Sequence, residues 1–185
     1  MKLNRKLIGI LIPFFILIFM TITPIMTLSF GKTVILKTVP YDPTDAFRGD
    51  YVALSYDIES IDLAKFKKED KIFSEFKNND EPHPFYDTNK TKVYVVLKTT
   101  SNIAEVDYVT SSKKNLENKT YLSGTIDYIN SNGTANPQAT IKYSLDSYFV
   151  PENTGKKLED LSRKGLLKAK IKVRNGYAIL IKVSE

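Results

Sequence analysis

The stretch "LLKAKIKVRNGYAILIKV", Leu166 to Val183, carries the clearest structural signal in this 185-residue chain. Two runs rich in aliphatic and β-branched residues flank the pair Asn175-Gly176. Asn-Gly between such runs is typical of a type I′ turn, because both central residues of that turn need a positive φ angle. The stretch therefore predicts a β-hairpin near the end of the chain.

The first strand of this hairpin carries a cation at every second position. Because alternate residues of a strand share a face, the four cations should form one basic stripe. The stripe is either a solvated strand face that discourages edge pairing, or a surface for anionic lipid head groups or envelope polymer. Its members are Lys168, Lys170, Lys172 and Arg174. A two-residue turn would place them, from Arg174 backwards, opposite Tyr177, Ile179, Ile181 and Val183.

Six further runs are strand-like, since they are rich in β-branched and aromatic residues and end at turn residues. Two segments favour short helices: residues 62–77, where Phe66, Phe73 and Phe76 share one face, and residues 156–165, which end at Gly165. The sequence thus predicts a mainly β, barrel- or sandwich-like fold with one or two short helices. The strand-like runs are Lys32–Thr38, Tyr51–Ile58, Lys92–Thr100, Ile103–Thr110, Thr120–Ile129 and Ala139–Leu145.

The run "LIGILIPFFILIFMTITPIMTLSF", Leu7 to Phe30, has no charged residue, and its 24 residues are enough for a helix to cross a bilayer. A cleaved signal peptide has a shorter apolar region and a small-residue cleavage site, so an uncleaved signal-anchor is favoured over it. The cations Lys2, Arg5 and Lys6 should hold the N-terminus in the cytoplasm. We expect a cytoplasmic N-terminus (1–6), a single-pass transmembrane helix (7–30) and one compact extracytoplasmic β-rich domain (32–185).

Composition excludes several functions. Half of the net charge of +6 comes from the three N-terminal cations, so the rest of the chain lacks the basic footprint of a nucleic-acid-binding protein. The absence of Cys excludes disulfides, thiolate metal sites and a thiol nucleophile. The only His, His83, lies in the Pro-flanked loop "EPHPFYD". The sequence therefore predicts no metal site, no cofactor and no nucleic-acid partner.

The segment "YDPTDAFRGDYVALSYDI", Tyr41 to Ile58, combines Asp-rich turns with a strand. Asp42 and Asp45 are turn formers, Arg48 can pair with a nearby carboxylate, and Gly49 lets the chain turn into the strand. An ion-pair network that fixes this loop is the structural interpretation. Strand alternation places Tyr51 on the face away from the core. The residues on the core face are Val52, Leu54, Tyr56 and Ile58.

Three functional interpretations of this segment are weaker. Arg48-Gly49-Asp50 spells an adhesive tripeptide, but it leads directly into a strand. Asp42, Asp45 and Asp50 do not have the spacing of a calcium-binding loop. A pair of carboxylates for glycosidase chemistry needs a separation that spacing along the chain cannot show. No catalytic residue is predicted here.

A family resemblance rests on the same residues. Gly49, Asp50, Tyr51, Leu54 and Tyr56 match the motif of the GDYXXLXY protein family. "PYDPTDAFRGDY" and "YFVPENTGKKLE" (Tyr148 to Glu159) resemble further family segments, although Asn153-Thr154 stands where members often have Gly. The resemblance implies a bacterial, N-terminally anchored extracytoplasmic protein of unknown function, often encoded near a polytopic membrane protein. It implies no catalytic residues.

The expected function is a binding or accessory module for a polytopic membrane protein, with Arg48, Asp50 and Tyr51 as the recognition residues, since Tyr51 points away from the core face. The enzyme alternative is a membrane-anchored Ser/Lys protease similar to signal peptidase. Such an enzyme needs a Ser-Met-x-Pro-like box just after the span. Ser29 is followed instead by Phe30-Gly31-Lys32, and no motif surrounds the candidate bases. Those bases are Lys32, Lys37 and Lys98.

Overall fold

The computed structural model describes residues 5–40, 51–68, 70, 85–86, 91–100, 102–130, 137–145, 147–149 and 160–185. These ranges contain one long helix, α1 (Arg5–Phe30), two 3-10 turns (Asp57–Glu59 and Leu63–Lys65) and a short helical turn at 160–163. Their strands are β1 (Lys32–Val39), β2 (Tyr51–Ala53), β3 (Ser55–Tyr56), β4 (Ser60–Asp62), β5 (Phe85–Tyr86), β6 (Lys92–Lys98), β7 (Glu105–Thr110), β8 (Tyr121–Asn130), β9 (Gln138–Lys142), β10 (Ser147–Phe149), β11 (Lys168–Arg174) and β12 (Tyr177–Ser184).

The strands form two main antiparallel sheets around a common core. One sheet has the order β12-β11-β1-β3, and the other has the order β4-β9-β8-β6-β7, with β5 paired to β8. A small ribbon, β10-β2, completes the described strands. Side chains from both sheets meet in one buried cluster that includes Leu36, Val95, Ile126, Ile141 and Ile171. The predicted mainly β fold is confirmed.

Backbone hydrogen bonds join the two sheets at their margins. The Ser123 N–H donates to the Gly176 carbonyl at 2.9 Å, next to a parallel bridge between Leu122 and Gly176. The Ala104 N–H donates to the Ile35 carbonyl at 2.8 Å. These contacts satisfy backbone groups that a free sheet edge would leave unpaired, and they close the layers into a partial barrel.

The C-terminal hairpin has the predicted turn but a different register. Asn175 has φ 52° and Gly176 has φ 85°, as a type I′ turn requires. Arg174 pairs with Tyr177 and Lys172 with Ile179, as predicted. A bulge between Lys170 and Ile171 then shifts the register. The predicted pairings of Lys170 with Ile181 and Lys168 with Val183 are therefore wrong: the partners are Lys182 and Ser184.

Helix α1 leads into β1 through a single residue, Gly31. Its segment Leu11–Phe30 has a mean hydropathy of 2.3, is 6% buried, and is long and apolar enough to cross a membrane. At its end the Gly31 N–H donates to the Thr27 carbonyl at 2.9 Å. A Cβ on Gly31 would lie 2.3 Å from the Thr27 oxygen and 3.2 Å from the Val173 oxygen. Glycine is therefore required where the helix meets β11.

Two local predictions need correction. The predicted helix over 62–77 does not begin at Asp62: β4 ends there, a 3-10 turn follows, and Phe66 bridges to Val109. The Leu63 N–H donates to the Pro137 carbonyl at 3.0 Å, and this bond continues the pairing of β4 with β9. Residues 69 and 71–77 lie outside the described part. The helix predicted over 156–165 is observed at 160–163, where Gly165 with φ 63° follows it. Residues 156–159 are not described.

Candidate functional site

The motif segment is divided between two different strand pairings. Its first part, β2, pairs with β10, so that Tyr51 lies opposite Phe149. Its second part, β3, pairs with the far end of β1, where Thr38 lies opposite Tyr56. Leu54 lies between the two strands and is buried. The predicted continuous strand Tyr51–Ile58 is thus interrupted, because the chain changes partners at Leu54.

Buried tyrosines fix the second part of the motif in the core. The Tyr56 hydroxyl donates to the Leu145 carbonyl at 2.6 Å, and Tyr56 is 1% exposed. The Tyr143 hydroxyl donates to the Ile58 carbonyl at 2.8 Å. Each hydroxyl therefore crosses to the chain segment that carries the other tyrosine. The predicted burial of Leu54, Tyr56 and Ile58 is confirmed, and these side chains are structural.

The carboxylate of Glu59 lies close enough to this tyrosine pair to affect the pKa of Tyr143. Ser55 Oγ donates to Glu59 Oε2 at 2.5 Å, on the turn that follows β3. Burial raises the pKa of Tyr143 well above its ordinary value of 10.0, and the negative charge of Glu59 adds to this increase. Tyr143 consequently stays neutral over the physiological pH range and serves as a hydrogen-bond donor.

Two of the three predicted recognition residues, and the predicted structural residues of the loop before β2, lie outside the described part of the chain. This holds for Asp42, Asp45, Arg48, Gly49 and Asp50. The backbone of Tyr51 belongs to β2, but its side chain is not described. The recognition role of Arg48, Asp50 and Tyr51 and the ion-pair network of the loop therefore stay predictions.

The structure divides the basic stripe into two halves. Lys172 donates to the Leu28 carbonyl in the last turn of α1, and Arg174 Nη1 lies 3.7 Å from Met26 Sδ. This lower half thus contacts the end of the apolar helix, where cations favour the negative end of the helix dipole. The upper half, Lys168 and Lys170, is exposed.

Two further lysines join the upper half of the stripe. Lys37 of β1 lies directly opposite Lys168, and Lys182 of β12 lies directly opposite Lys170. All four side chains are exposed. We call Lys37, Lys168, Lys170 and Lys182 the upper lysine patch. Sequence reasoning missed Lys37 and Lys182, because the partner of β11 and the bulge in β12 are not visible in local spacing.

The residues considered for protease chemistry lie at different distances from Ser29, which is in the last turn of α1. Lys32 begins β1 just after Gly31, Lys37 lies further along β1, and Lys98 ends β6 of the other sheet. Among the described residues, no three His, Asp or Glu side chains are grouped so that they could hold a metal ion. His83 lies outside the described part. The Ser/Lys protease alternative stays a prediction.

Comparison with known proteins identifies a family. No curated protein and no solved structure matches the chain. The sequence model described as "GDYXXLXY protein" matches residues 13–183, and so includes most of α1, the motif segment and the closing hairpin. The chain therefore belongs to the GDYXXLXY protein family, whose function is unknown.

Proposed function

We propose that this protein is a membrane-anchored extracytoplasmic module that binds a polytopic membrane protein. The observation that supports this most is the rigid connection between α1 and the β-rich part. Only Gly31 separates the helix from β1, and the last helical turns contact Lys172 and Arg174 of β11. A module held this way presents a fixed surface beside the membrane, as an accessory subunit needs.

The side chains of α1 suit a bilayer. Large apolar residues along the helix are exposed to the surroundings, for example Phe15, Phe19 and Met20 at 54%, 71% and 69%. In water such a surface is unfavourable by roughly 25 cal/mol per Å² of apolar area, and burial in lipid removes this cost. The basic N-terminus would stay in the cytoplasm, which places the β-rich part on the outer side.

The position of the motif indicates which part of the partner it would contact. β3 pairs with Thr38 and Val39 at the end of β1, and Val39 is seven residues after Lys32, where β1 begins. At roughly 3.3 Å per residue, this end of β1 lies about 23 Å from the end of α1. β2, which is joined to β3 through Leu54, would therefore meet extracytoplasmic loops of the partner rather than its membrane-embedded helices.

The proposal is tested by photocrosslinking in intact cells. A photoreactive amino acid replaces Tyr51, and the control carries it in place of the exposed Lys119. We expect a discrete protein adduct from position 51 that is absent from position 119. Adducts to lipid alone, or the same adducts from both positions, would count against a protein partner at the motif.

A second candidate function is the binding of an anionic envelope polymer by the upper lysine patch. Like charges directly opposite each other destabilise a sheet, and this patch has two such pairs, Lys37 with Lys168 and Lys170 with Lys182. A bound polyanion would offset this repulsion. Lys37 lies about 17 Å along β1 from Lys32, towards the end of the strand that is remote from α1, so we favour an extended polymer over lipid head groups as the ligand of this patch.

This second candidate predicts binding of a soluble phosphodiester polymer to the full chain in neutral detergent. The double variant Lys168→Gln/Lys170→Gln should weaken the affinity by about tenfold, as expected for the loss of two charge-assisted contacts that are exposed to solvent. Removal of two charges at Lys119 and Lys164, which lie elsewhere on the surface, is the control. An equal loss in both double variants would indicate general charge attraction and contradict a specific patch.

A further inference from the structure

A cleft of about 420 Å³ opens between the β11–β12 turn and the six-stranded sheet. One wall consists of the turn itself, Asn175 and Gly176, with Tyr177. The other wall is the chain that leaves β9, from Lys142 to Leu145. The base is provided by β8, where Ser123 and Thr125 line the cleft. The cleft forms because β9 pairs with β8 only as far as Thr125. Beyond that residue the β11–β12 turn pairs with β8 instead, at Leu122.

Three residues in direct register give this cleft its chemical character. Lys92 of β6 lies opposite Thr125 of β8, and Thr125 lies opposite Lys142 of β9. Direct cross-strand neighbours share a face, and strands are about 4.8 Å apart, so the two lysine Cα atoms lie roughly 10 Å apart. Two lysines therefore flank one threonine across the three strands, and all three residues line the cleft. Lysine ammonium groups and hydroxyls are typical ligands of phosphate oxygens.

The acidic neighbour of these lysines limits the charge of the ligand. Lys142 Nζ lies 2.8 Å from Asp127 Oδ2, with side chains 70% and 31% exposed. Lys92, Lys142 and Asp127 together carry one net positive charge. This balance favours a phosphate group with a single negative charge, which is the charge of a phosphodiester.

The cleft lies at the end of the β-rich part where α1 enters. Arg174, the residue before the turn, contacts Met26, and the neighbouring Val173 carbonyl faces Gly31. The turn that forms one wall of the cleft is therefore level with the last turns of α1. Tyr177, at the rim, is 43% exposed, and exposed tyrosines are enriched where a membrane meets water.

We propose that this cleft binds the phosphodiester of an anionic phospholipid head group, with Lys92 and Lys142 as cationic contacts and Thr125 as a hydroxyl donor. The inference rests on the membrane anchoring in the proposed function, which brings the cleft to the level of the head groups. It is independent of the protein partner.

The test uses the full chain in neutral detergent and titrates it with short-chain phosphatidylglycerol. The double variant Lys92→Gln/Lys142→Gln should weaken the affinity at least tenfold, because it removes both charge-assisted contacts to the phosphate oxygens. The control double variant, Lys119→Gln/Lys164→Gln, removes the same charge from exposed positions outside the cleft and the upper lysine patch, and should change the affinity less than about twofold. Circular dichroism confirms that both variants are folded.

Two results would overturn the inference. One is an unchanged affinity in Lys92→Gln/Lys142→Gln, or an equal loss in the control variant. The other is binding of soluble glycerophosphoglycerol, the phosphodiester without its acyl chains, as tight as that of phosphatidylglycerol, which would assign the cleft to a soluble phosphodiester rather than a lipid. Because no partner protein is present, failure of this test leaves the crosslinking result at position 51 unaffected, and the reverse also holds.

Discussion

The hydroxyl of Tyr56 donates a 2.6 Å hydrogen bond to the backbone carbonyl of Leu145, across 89 residues of sequence. This bond ties the end of the family motif to the segment after β9, and the bond from Tyr143 to Ile58 returns in the opposite direction. Tyr56 is therefore a structural residue of the motif. The proposed recognition by this motif would then depend on the residues before Leu54.

The first prediction concerns this bond. Tyr56→Phe leaves the buried Leu145 carbonyl without its donor, and an unsatisfied buried acceptor costs about 1–3 kcal/mol. We expect the free energy of unfolding of the full chain in detergent to fall by that amount in urea titrations. Tyr177→Phe removes a hydroxyl from an exposed ring and is the control. An equal stability for the Tyr56 variant and the wild type would show that the bond contributes nothing.

The second prediction concerns alkaline pH. Burial and Glu59 raise the pKa of Tyr143 in the folded state, whereas the unfolded chain loses this proton near pH 10. Above about pH 10 the folded state binds more protons than the unfolded state, so the stability present below pH 10 declines as pH rises toward the folded pKa. One such proton contributes a slope of about 1.4 kcal/mol per pH unit.

Tyr143→Phe should remove this contribution, and its unfolding free energy should depend less steeply on pH above 10. Urea titrations at several alkaline pH values measure the slope. Tyr177→Phe should keep the wild-type slope. A Tyr143 variant with an unchanged slope would assign the alkaline loss of stability to other groups.

The third prediction concerns the junction between helix and sheet. Gly31→Ala places a Cβ 2.3 Å from the Thr27 oxygen and 3.2 Å from the Val173 oxygen, so both the last helical turn and its contact with β11 must shift. Overpacking of this kind costs about 1–3 kcal/mol. Gly9→Ala is a matched control in the same helix, since nothing lies within 4 Å of a Cβ there. Thermal unfolding in detergent should show a loss only for Gly31→Ala, and equal melting temperatures would contradict a close junction.

The parts of the fold that were predicted correctly depend on local sequence. The hairpin follows from Asn175-Gly176 and its flanking runs, and the burial of Leu54 and Tyr56 follows from alternation. The bulge in β12 could not be predicted, because it depends on packing across β11 rather than on spacing. The apolar spacing after Asp62 indicated a helix, but Phe66 is buried through a bridge to Val109.

The candidate sites were only partly visible in the sequence for the same reason. The basic stripe was visible because its members alternate within one strand. One half of the stripe contacts α1, and the other half is joined by Lys37 and Lys182. This division depends on strand pairing, and Lys37 is more than 100 residues from its partner Lys168 in the sequence. The rung of Lys92, Thr125 and Lys142 combines three strands, and no local motif marks it.

The fourth prediction concerns the turn that joins the two sheets and forms one wall of the cleft. Gly176 has φ 85°, and a Cβ there would lie 2.7 Å from Tyr121 Cε2. Gly176→Ala should therefore destabilise the chain by roughly 1–2 kcal/mol or more, since it adds a contact to the strain of a left-handed backbone. Asn175→Gly, at φ 52°, relieves such strain and should be neutral or slightly stabilising.

Hydrogen exchange distinguishes a local effect from a general one. The Ser123 amide donates to the Gly176 carbonyl. Its hydrogen exchange should therefore accelerate in Gly176→Ala more than that of the amides that pair β6 with β8. In Asn175→Gly it should stay protected. Uniform acceleration across both sheets would mean that the turn acts only on global stability. Selective acceleration at Ser123 would instead show that the turn holds the edge of β8 in place, and with it the geometry of the cleft.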